Sequence, residues 1–131
     1  MDLYREEILE HWQNPQNWGT LKNFDLDAEV VNPLCGDEIR VQVKLDNNRS
    51  TIDDIRFAGN GCAISIASAS ILSENIKNKP LSQIKSLKGE DVLKTLGGRA
   101  NFPPARLKCA FLALEAIRQL ADKFEFLNPK S

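Results

Sequence analysis

The sequence predicts an α+β fold with two layers, in which a three-stranded antiparallel sheet packs against helices and an N-terminal helix comes first. Three observations support this class. An opening segment with helical periodicity precedes a region of apolar–polar alternation, and the second half returns to helical spacing. The chain has 131 residues, of which 42% are hydrophobic, so it can bury one core. We therefore expect a single domain over residues 1–131.

The first elements are predicted from two different periodicities. Residues 3–12 place apolar side chains on one helical face, which indicates a short helix. Ile39 to Leu45 alternates apolar residues with polar ones, which is typical of a strand with one buried face. Asp46-Asn47-Asn48 supplies a turn into a return strand that is expected to be irregular at Asp53-Asp54. Val30-Val31 indicates an earlier strand.

The second half of the chain is predicted to be helical. Ala63 to Lys77 is rich in alanine, serine, isoleucine and leucine, and its small residues permit close packing on the sheet. Short helices are expected over residues 81–86 and 89–96. A long final helix is expected from Pro103 to Lys123, because proline is favoured in a first helical turn.

The composition excludes several functional classes. Net charge is −1, and the 17 basic and 18 acidic residues are mixed, so nucleic acid is not an expected partner. No apolar stretch approaches the roughly 20 residues of a membrane span, and the opening residues lack a signal-peptide pattern. We expect a cytoplasmic protein whose three cysteines are thiols or metal ligands, since cytosolic thiols are kept reduced.

Each cysteine lies at a predicted junction between elements. Cys35 and Asp37 share a turn between two strands, and the glycine between them lets the backbone fold tightly. Cys62 directly precedes the second helix, and Cys109 lies in the first turns of the last one. Three thiolates and one carboxylate match the four-ligand tetrahedral sites that zinc or iron prefers.

The cysteines also have a second interpretation. A cysteine taken singly is more often a small buried hydrophobic residue, and Cys62 and Cys109 are both followed by apolar neighbours. Their wide spacing matches no compact zinc-finger pattern. The residues alone therefore leave a shared metal site and core packing both open.

Several segments resemble the U-type iron–sulfur cluster assembly proteins, which are IscU, SufU and the N-terminal domain of NifU. Residues 32–37 (NPLCGD) resemble their NPxCGD motif, and residues 59–70 (GNGCAISIASAS) resemble their GxGCxISxASAS segment. Residues 102–109 (FPPARLKC) resemble the segment before their third cysteine. Residues 4–19 are similar to their opening helix and turn, so the resemblance covers nearly the whole chain.

The resemblance implies a ligand set, a sulfur acceptor and a function. Cys35, Cys62 and Cys109 correspond to the cysteines that hold a nascent cluster or Zn²⁺, and Asp37 corresponds to the aspartate that makes the cluster labile. Cys109 corresponds to the persulfide acceptor of many IscU-type members, and Cys35 corresponds to that of SufU-type members. The implied function is assembly of a transient [2Fe–2S] cluster with sulfur from a cysteine desulfurase. Recipient apoproteins or carrier proteins would then take the cluster.

Two departures place the chain between the IscU and SufU subgroups. Lys108 stands where IscU-type proteins carry histidine, and lysine at this position is typical of SufU-type proteins. Lys108 is either a solvated charge or, beside Cys109, a helper in sulfur acceptance or an ion-pair partner of Asp37. SufU-type proteins usually carry an insertion between their second and third cysteines, and the segment from Cys62 to Cys109 leaves little room for it. A zinc-dependent sulfurtransferase is thus the alternative to a scaffold, and whether the chain is an enzyme stays open.

Other expectations are simpler. Residues 103–106 only approximate the LPPVK stretch of IscU-type proteins, which weakens the case for an Hsp70-type chaperone as a partner. A structural zinc domain that only mediates protein contacts is a third possibility. His11 is expected to have a hydrogen-bonded structural role in preference to a ligand role. Trp12 and Trp18 are interpreted as packing aromatics, with docking of a partner as the alternative for an exposed one. Four serines of the second helix are expected to pack closely and not to act as nucleophiles: Ser65, Ser68, Ser70 and Ser73.

Overall fold

The computed structural model describes residues 3–33, 36–97 and 104–127, which form five helices and three strands. In chain order these are α1 (Leu3–Gln13), β1 (Leu26–Val31), β2 (Glu38–Leu45), β3 (Ile52–Asn60), α2 (Ala63–Ile76), α3 (Leu81–Lys85), α4 (Gly89–Thr95) and α5 (Pro104–Leu127). This order confirms the predicted α+β class and its N-terminal helix. The last helix continues past the predicted end at Lys123. No helix in the described ranges is both long and apolar enough to cross a bilayer.

The three strands form an antiparallel sheet with β2 in the centre. Val31 pairs with Glu38 where β1 turns into β2, and Glu38 pairs on its other side with Asn60. The end of β1, the start of β2 and the end of β3 therefore lie together, and we call this the open end of the sheet. The β2–β3 hairpin lies at the other, the hairpin end. There the register shifts and leaves Asp53 as an extra residue, which confirms the expected irregularity.

The core lies between the sheet and the helices. Ile39, Val41 and Val43 are at most 1% exposed on one face of β2, as their alternation predicts. Helices α2 and α5 pack on the sheet, α1 packs on α2, and α3 and α4 pack on α5. Because α2 has neighbours on several sides, its residues from Ser65 to Ser73 are all buried. Burial of each large aliphatic side chain contributes about 1.5–3 kcal/mol.

The outer edge of β3 is covered by a segment that the sequence indicated only as a turn. The N–H of Phe57 donates to the carbonyl of Asn17, and the N–H of Gly19 donates to the carbonyl of Phe57, both at 2.9 Å. The Trp18 ring meets the Phe57 ring edge-on, with centroids 5.4 Å apart. An uncovered strand edge is a site of aggregation, so this short pairing protects β3.

Candidate metal centre

Two turns meet at the open end of the sheet and bring candidate ligands from distant parts of the sequence together. Asp37 directly precedes β2, and Cys62 follows β3 after the single residue Gly61. Because Glu38 and Asn60 are paired, these two turns are neighbours in space. The positive φ of Gly36, +76°, agrees with the tight turn expected there.

The third ligand comes from α5. One ligand atom each of Asp37, Cys62 and Cys109 lies within 4.8 Å of the other two. Asp37 is 9% exposed and Cys109 is 2% exposed, while Cys62 is half-buried. Cys35, the fourth predicted ligand, lies outside the described residues.

The spacing of these donor atoms fits a tetrahedral metal ion. With Zn–S distances of about 2.3 Å and Zn–O distances of about 2.1 Å, ligand atoms around zinc lie about 3.5–3.8 Å apart. The three described groups lie within 4.8 Å of one another, about 1 Å beyond that spacing. Two thiols and a carboxylate are also a donor set that zinc and iron accept. Burial of Cys109 alone would suit core packing, but the convergence with Asp37 and Cys62 favours the shared site.

Asp37 is held by the start of α2. Its Oδ2 accepts a hydrogen bond from the Ser65 hydroxyl at 2.8 Å and one from the Cys62 backbone N–H at 3.3 Å. A helix N-terminus has unsatisfied N–H groups and a partial positive charge, so it favours a carboxylate at this position. The carboxylate of Asp37 therefore serves as a cap for α2 from another part of the chain.

Cys62 is the N-cap residue of α2, as its position after a glycine-rich turn predicts. It has an extended backbone, and its side chain makes no capping hydrogen bond. Its carbonyl accepts the first helical hydrogen bond, from the N–H of Ile66 at 3.1 Å. The backbone thus starts the helix while the thiol stays turned toward Asp37 and Cys109.

Lys108 and Cys109 are neighbours in sequence but differ in environment. Lys108 is exposed, whereas Cys109 is buried. Consecutive residues of a helix point about 100° apart, which explains the difference. Among the described side chains, no ion pair joins Lys108 to Asp37. A role for Lys108 in sulfur acceptance stays a prediction.

The remaining expectations concern α1 and the serines of α2. His11 Nδ1 lies 2.7 Å from the Ser70 hydroxyl, which confirms the structural, hydrogen-bonded role of the histidine. All four α2 serines are buried, as expected for close packing. Their hydroxyls also make specific hydrogen bonds, including one from Ser68 to the carbonyl of Ala110 at 2.6 Å. Trp12 and Trp18 are 44% and 47% exposed, more than packing aromatics require.

Sequence reasoning missed Ser65 as part of the site. It grouped Ser65 with the packing serines, since nothing nearby in the sequence indicates a partner. The available signal was its position: Ser65 is the third residue of a helix whose N-cap is a cysteine. At this third position a side chain is placed to hydrogen-bond at the helix start.

Comparisons with known proteins show the family of this chain. Residues 3–130 match the family described as NifU-like N-terminal domain. The chain is 35% identical to the iron–sulfur cluster assembly scaffold protein IscU of Aquifex aeolicus (strain VF5), over 87% of this chain and 71% of that protein. It is 36% identical to the zinc-dependent sulfurtransferase SufU of Bacillus subtilis (strain 168), over 94% of this chain and 92% of that protein.

A solved structure supports the fold. The crystal structure of FiSufU from Fervidobacterium islandicum AW-1, described as an iron–sulfur cluster assembly scaffold protein for the SUF system, superposes with a TM-score of 0.76. The match covers 88% of this chain and 94% of that chain, at 24% identity.

The two sequence alignments differ in their gaps. The alignment with the A. aeolicus protein has 114 positions, and 87% of 131 residues is also 114, so this chain fills almost every position. The alignment with the B. subtilis protein has 139 positions, more than the whole chain, so that protein carries residues with no counterpart here. With a family match that spans nearly its full length, the chain belongs to the NifU-like N-terminal domain family, the family of the U-type iron–sulfur cluster assembly proteins.

Proposed function

We propose that this chain is an iron–sulfur cluster assembly scaffold. It accepts sulfur from a cysteine desulfurase, takes up ferrous iron and assembles a [2Fe–2S] cluster on Cys35, Asp37, Cys62 and Cys109. It then passes the cluster to a recipient apoprotein or a carrier protein. The observation that carries the proposal is the convergence of Asp37, Cys62 and Cys109 within 4.8 Å in a chain of this family.

The mixed donor set suits a cargo that must be held and then released. Thiolate sulfur is a soft ligand that iron–sulfur units bind well, whereas a carboxylate oxygen is harder and more easily displaced. Asp37 therefore supplies the weakest of the four attachments, at which a recipient's ligand enters first. Such thiolates persist in a reducing compartment, which is why we place the protein in the cytoplasm.

Sulfur acceptance is a thiol–persulfide exchange. The thiolate of Cys109, or that of Cys35, attacks the outer sulfur of the desulfurase persulfide. The donor's sulfur–sulfur bond breaks, a new one forms on this chain, and the desulfurase cysteine leaves as a thiolate. Ferrous iron and a thiol reductant together supply two electrons to each transferred sulfur, which becomes sulfide. Cys109 is 2% exposed, so its surroundings must open before it reacts, while exposed Lys108 attracts the anionic persulfide.

A zinc-dependent sulfurtransferase is the second candidate function. In that case Zn²⁺ bound by the same four residues stabilises the thiolates until sulfur arrives. Lys108 favours this function, because lysine in place of histidine removes an imidazole ligand beside Cys109. The nearly gap-free alignment with a scaffold protein favours the first candidate.

Anaerobic reconstitution distinguishes these functions. The purified protein is mixed with a cysteine desulfurase, cysteine, ferrous iron and a dithiol, and visible absorption is followed. Charge-transfer bands that grow and then disappear when apo-ferredoxin is added support the scaffold. A persulfide found by mass spectrometry, with zinc retained and no coloured cluster, supports the sulfurtransferase. If neither product forms, the structural zinc domain becomes the better description.

Cysteine variants test the shared site in the same assay. Cys35→Ser, Cys62→Ser and Cys109→Ser should each abolish cluster retention, because a serine hydroxyl replaces a thiolate ligand. Asp25→Ala, a change at the hairpin end of the sheet, is the control and should retain the cluster. Normal retention in any one cysteine variant would remove that residue from the site.

A further inference from the structure

We propose that Ser65 is a positioning residue of this site, which orients the carboxylate of Asp37 for metal binding. The inference rests on the proposed function in so far as it takes Asp37 to be a metal ligand. Ser65 itself is not a ligand in this proposal. It acts only through Asp37.

The Ser65 hydroxyl is committed to Asp37. Ser65 is fully buried, and its Oγ donates to Asp37 Oδ2 at 2.8 Å. A serine hydroxyl has one proton, so a second acceptor cannot be served while this bond persists. The Cys62 Sγ lies 3.6 Å from the same Oγ, so Ser65 contacts two of the proposed ligands at once.

The hydrogen bonds of Asp37 distinguish its two carboxylate oxygens. Oδ2 accepts from both the Ser65 hydroxyl and the Cys62 backbone N–H, which uses the two lone pairs of that oxygen. A metal ion that approached Oδ2 would have to compete with these two bonds. Ser65 and Cys62 therefore fix the orientation of the Asp37 carboxylate through Oδ2.

Close packing keeps this arrangement in place. A Cβ atom added at Gly61 would lie 3.0 Å from Ser65 Cβ and 3.5 Å from both Cγ and Oδ2 of Asp37. A residue without a side chain is therefore needed at position 61 to leave Ser65 and Asp37 in contact. The next serine along α2, Ser68, is equally buried but donates to the carbonyl of Ala110, away from Asp37. Loss of its hydroxyl therefore provides a matched control.

The test compares four proteins in metal binding: Ser65→Ala, Ser68→Ala, Asp37→Ala and the Ser65→Ala/Asp37→Ala double variant. Zn²⁺ affinity is measured by competition with a chromogenic chelator, and the Co²⁺-loaded forms are examined by visible absorption. We expect Ser65→Ala to weaken Zn²⁺ binding about tenfold, in the range seen when a group that orients a metal ligand is removed. Ser68→Ala should bind as the wild type does.

The double variant separates positioning from general structure. If Ser65 acts through Asp37, Ser65→Ala should change Zn²⁺ affinity less than about twofold once Asp37 is already alanine. In the Co²⁺ form of Ser65→Ala, the ligand-field bands should shift while the sulfur-to-cobalt charge-transfer bands stay constant. Melting of the metal-free proteins shows that each variant is folded.

Several results would overturn the inference. Wild-type affinity in Ser65→Ala would show that the hydroxyl is not needed. An equal loss in the wild-type and Asp37→Ala backgrounds, or an equal loss in Ser68→Ala, would show a general packing effect. These outcomes leave the proposed function standing, because the wild type still binds metal. A wild-type protein that holds neither Zn²⁺ nor Co²⁺ would overturn both the metal site and the role of Ser65.

Discussion

The two ends of the sheet each hold an aspartate on backbone N–H groups, but the neighbours of these aspartates differ. At the hairpin end, Asp25 Oδ2 accepts from the Leu45 N–H at 2.7 Å, and its Oδ1 accepts from the Arg49 guanidinium at 3.3 Å. At the open end, the Ser65 hydroxyl and the Cys62 N–H are neutral donors, and both contact Oδ2 of Asp37.

This difference gives the two aspartates different roles: Asp25 stabilises the fold, and Asp37 is a proposed metal ligand. The cation beside Asp25 compensates its charge and occupies its second oxygen, so little is left for a ligand. At Asp37 the Ser65 hydroxyl and the Cys62 N–H orient the carboxylate, and two thiols lie within 4.8 Å. A carboxylate that is oriented beside two thiols is placed to bind a metal cation.

The strands approach each other closely at Gly59, toward the open end, and Gly59→Ala is the strongest test of this approach. A Cβ at Gly59 would lie 2.1 Å from the carbonyl oxygen of Glu38, a contact that only backbone movement can relieve. We expect the free energy of unfolding to fall by about 2–3 kcal/mol, at the upper end of the cost of overpacking. Metal affinity should fall as well, since the shift moves Asp37. Urea titration measures the first effect and chelator competition the second.

Gly19→Ala is the control for that prediction. Gly19 also has a positive φ, +132°, but a Cβ there would meet nothing within 4 Å. The Gly19→Ala variant thus adds the same methyl group and causes backbone strain, but it creates no steric contact. If both variants lose equal stability, the close approach at the open end is not what Gly59 provides.

Asp37→Ala tests the chemical side of the comparison. Without its weakest ligand the assembled cluster should be released more slowly, and we expect its lifetime with apo-ferredoxin present to increase about tenfold, which corresponds to about 1.4 kcal/mol. Zn²⁺ affinity falls in the same variant, because affinity depends on all ligands whereas release depends on the most easily displaced one. The measurement is the decay of visible absorption after the recipient is added.

Asp25→Ala should leave the decay of the cluster's visible absorption unchanged, since Asp25 lies at the opposite end of the sheet. An unchanged lifetime in Asp37→Ala would mean that cluster release begins at another ligand. Cys62 would then be the next candidate, because it is more exposed than Cys109.

Features that depend on neighbouring residues were predictable from the sequence. The alternation from Ile39 to Leu45 predicted β2 and its buried face, and the turn before Cys62 predicted that the cysteine starts a helix. The tight turn at Gly36 was predictable for the same reason: a glycine allows a positive φ wherever it occurs.

Features that depend on strand register were not predictable. Ser65 meets Asp37 only because Glu38 pairs with Asn60, and no local pattern reports a pairing between residues so far apart. The pairing of Trp18 with Phe57 was missed for the same reason. Backbone hydrogen bonds to an outer strand need no particular side chains, so they leave little trace in the sequence.

The smallest expected effect concerns pH and the hairpin end. The Leu45 N–H, together with the charges of Lys44 and Arg49, holds the pKa of Asp25 below its usual value. A carboxyl with a lowered folded-state pKa stabilises the fold above its unfolded-state pKa, and this contribution disappears as pH falls through the folded-state pKa. Asp25→Asn keeps an acceptor oxygen but loses the charge. It should therefore lower the free energy of unfolding by about 1 kcal/mol at pH 7.

The difference in free energy of unfolding between the wild type and Asp25→Asn should become smaller at acidic pH. As pH falls below about 4, the usual pKa of an aspartate, the unfolded wild-type protein takes up a proton at Asp25 before the folded one does, so the stabilisation from the charge declines. The two unfolding curves, measured in urea from pH 7 down to pH 3, should then move closer together. A difference that stays constant over this range would mean that Asp25 stabilises the hairpin end by the shape of its side chain. In that case its charge would not distinguish it from Asp37.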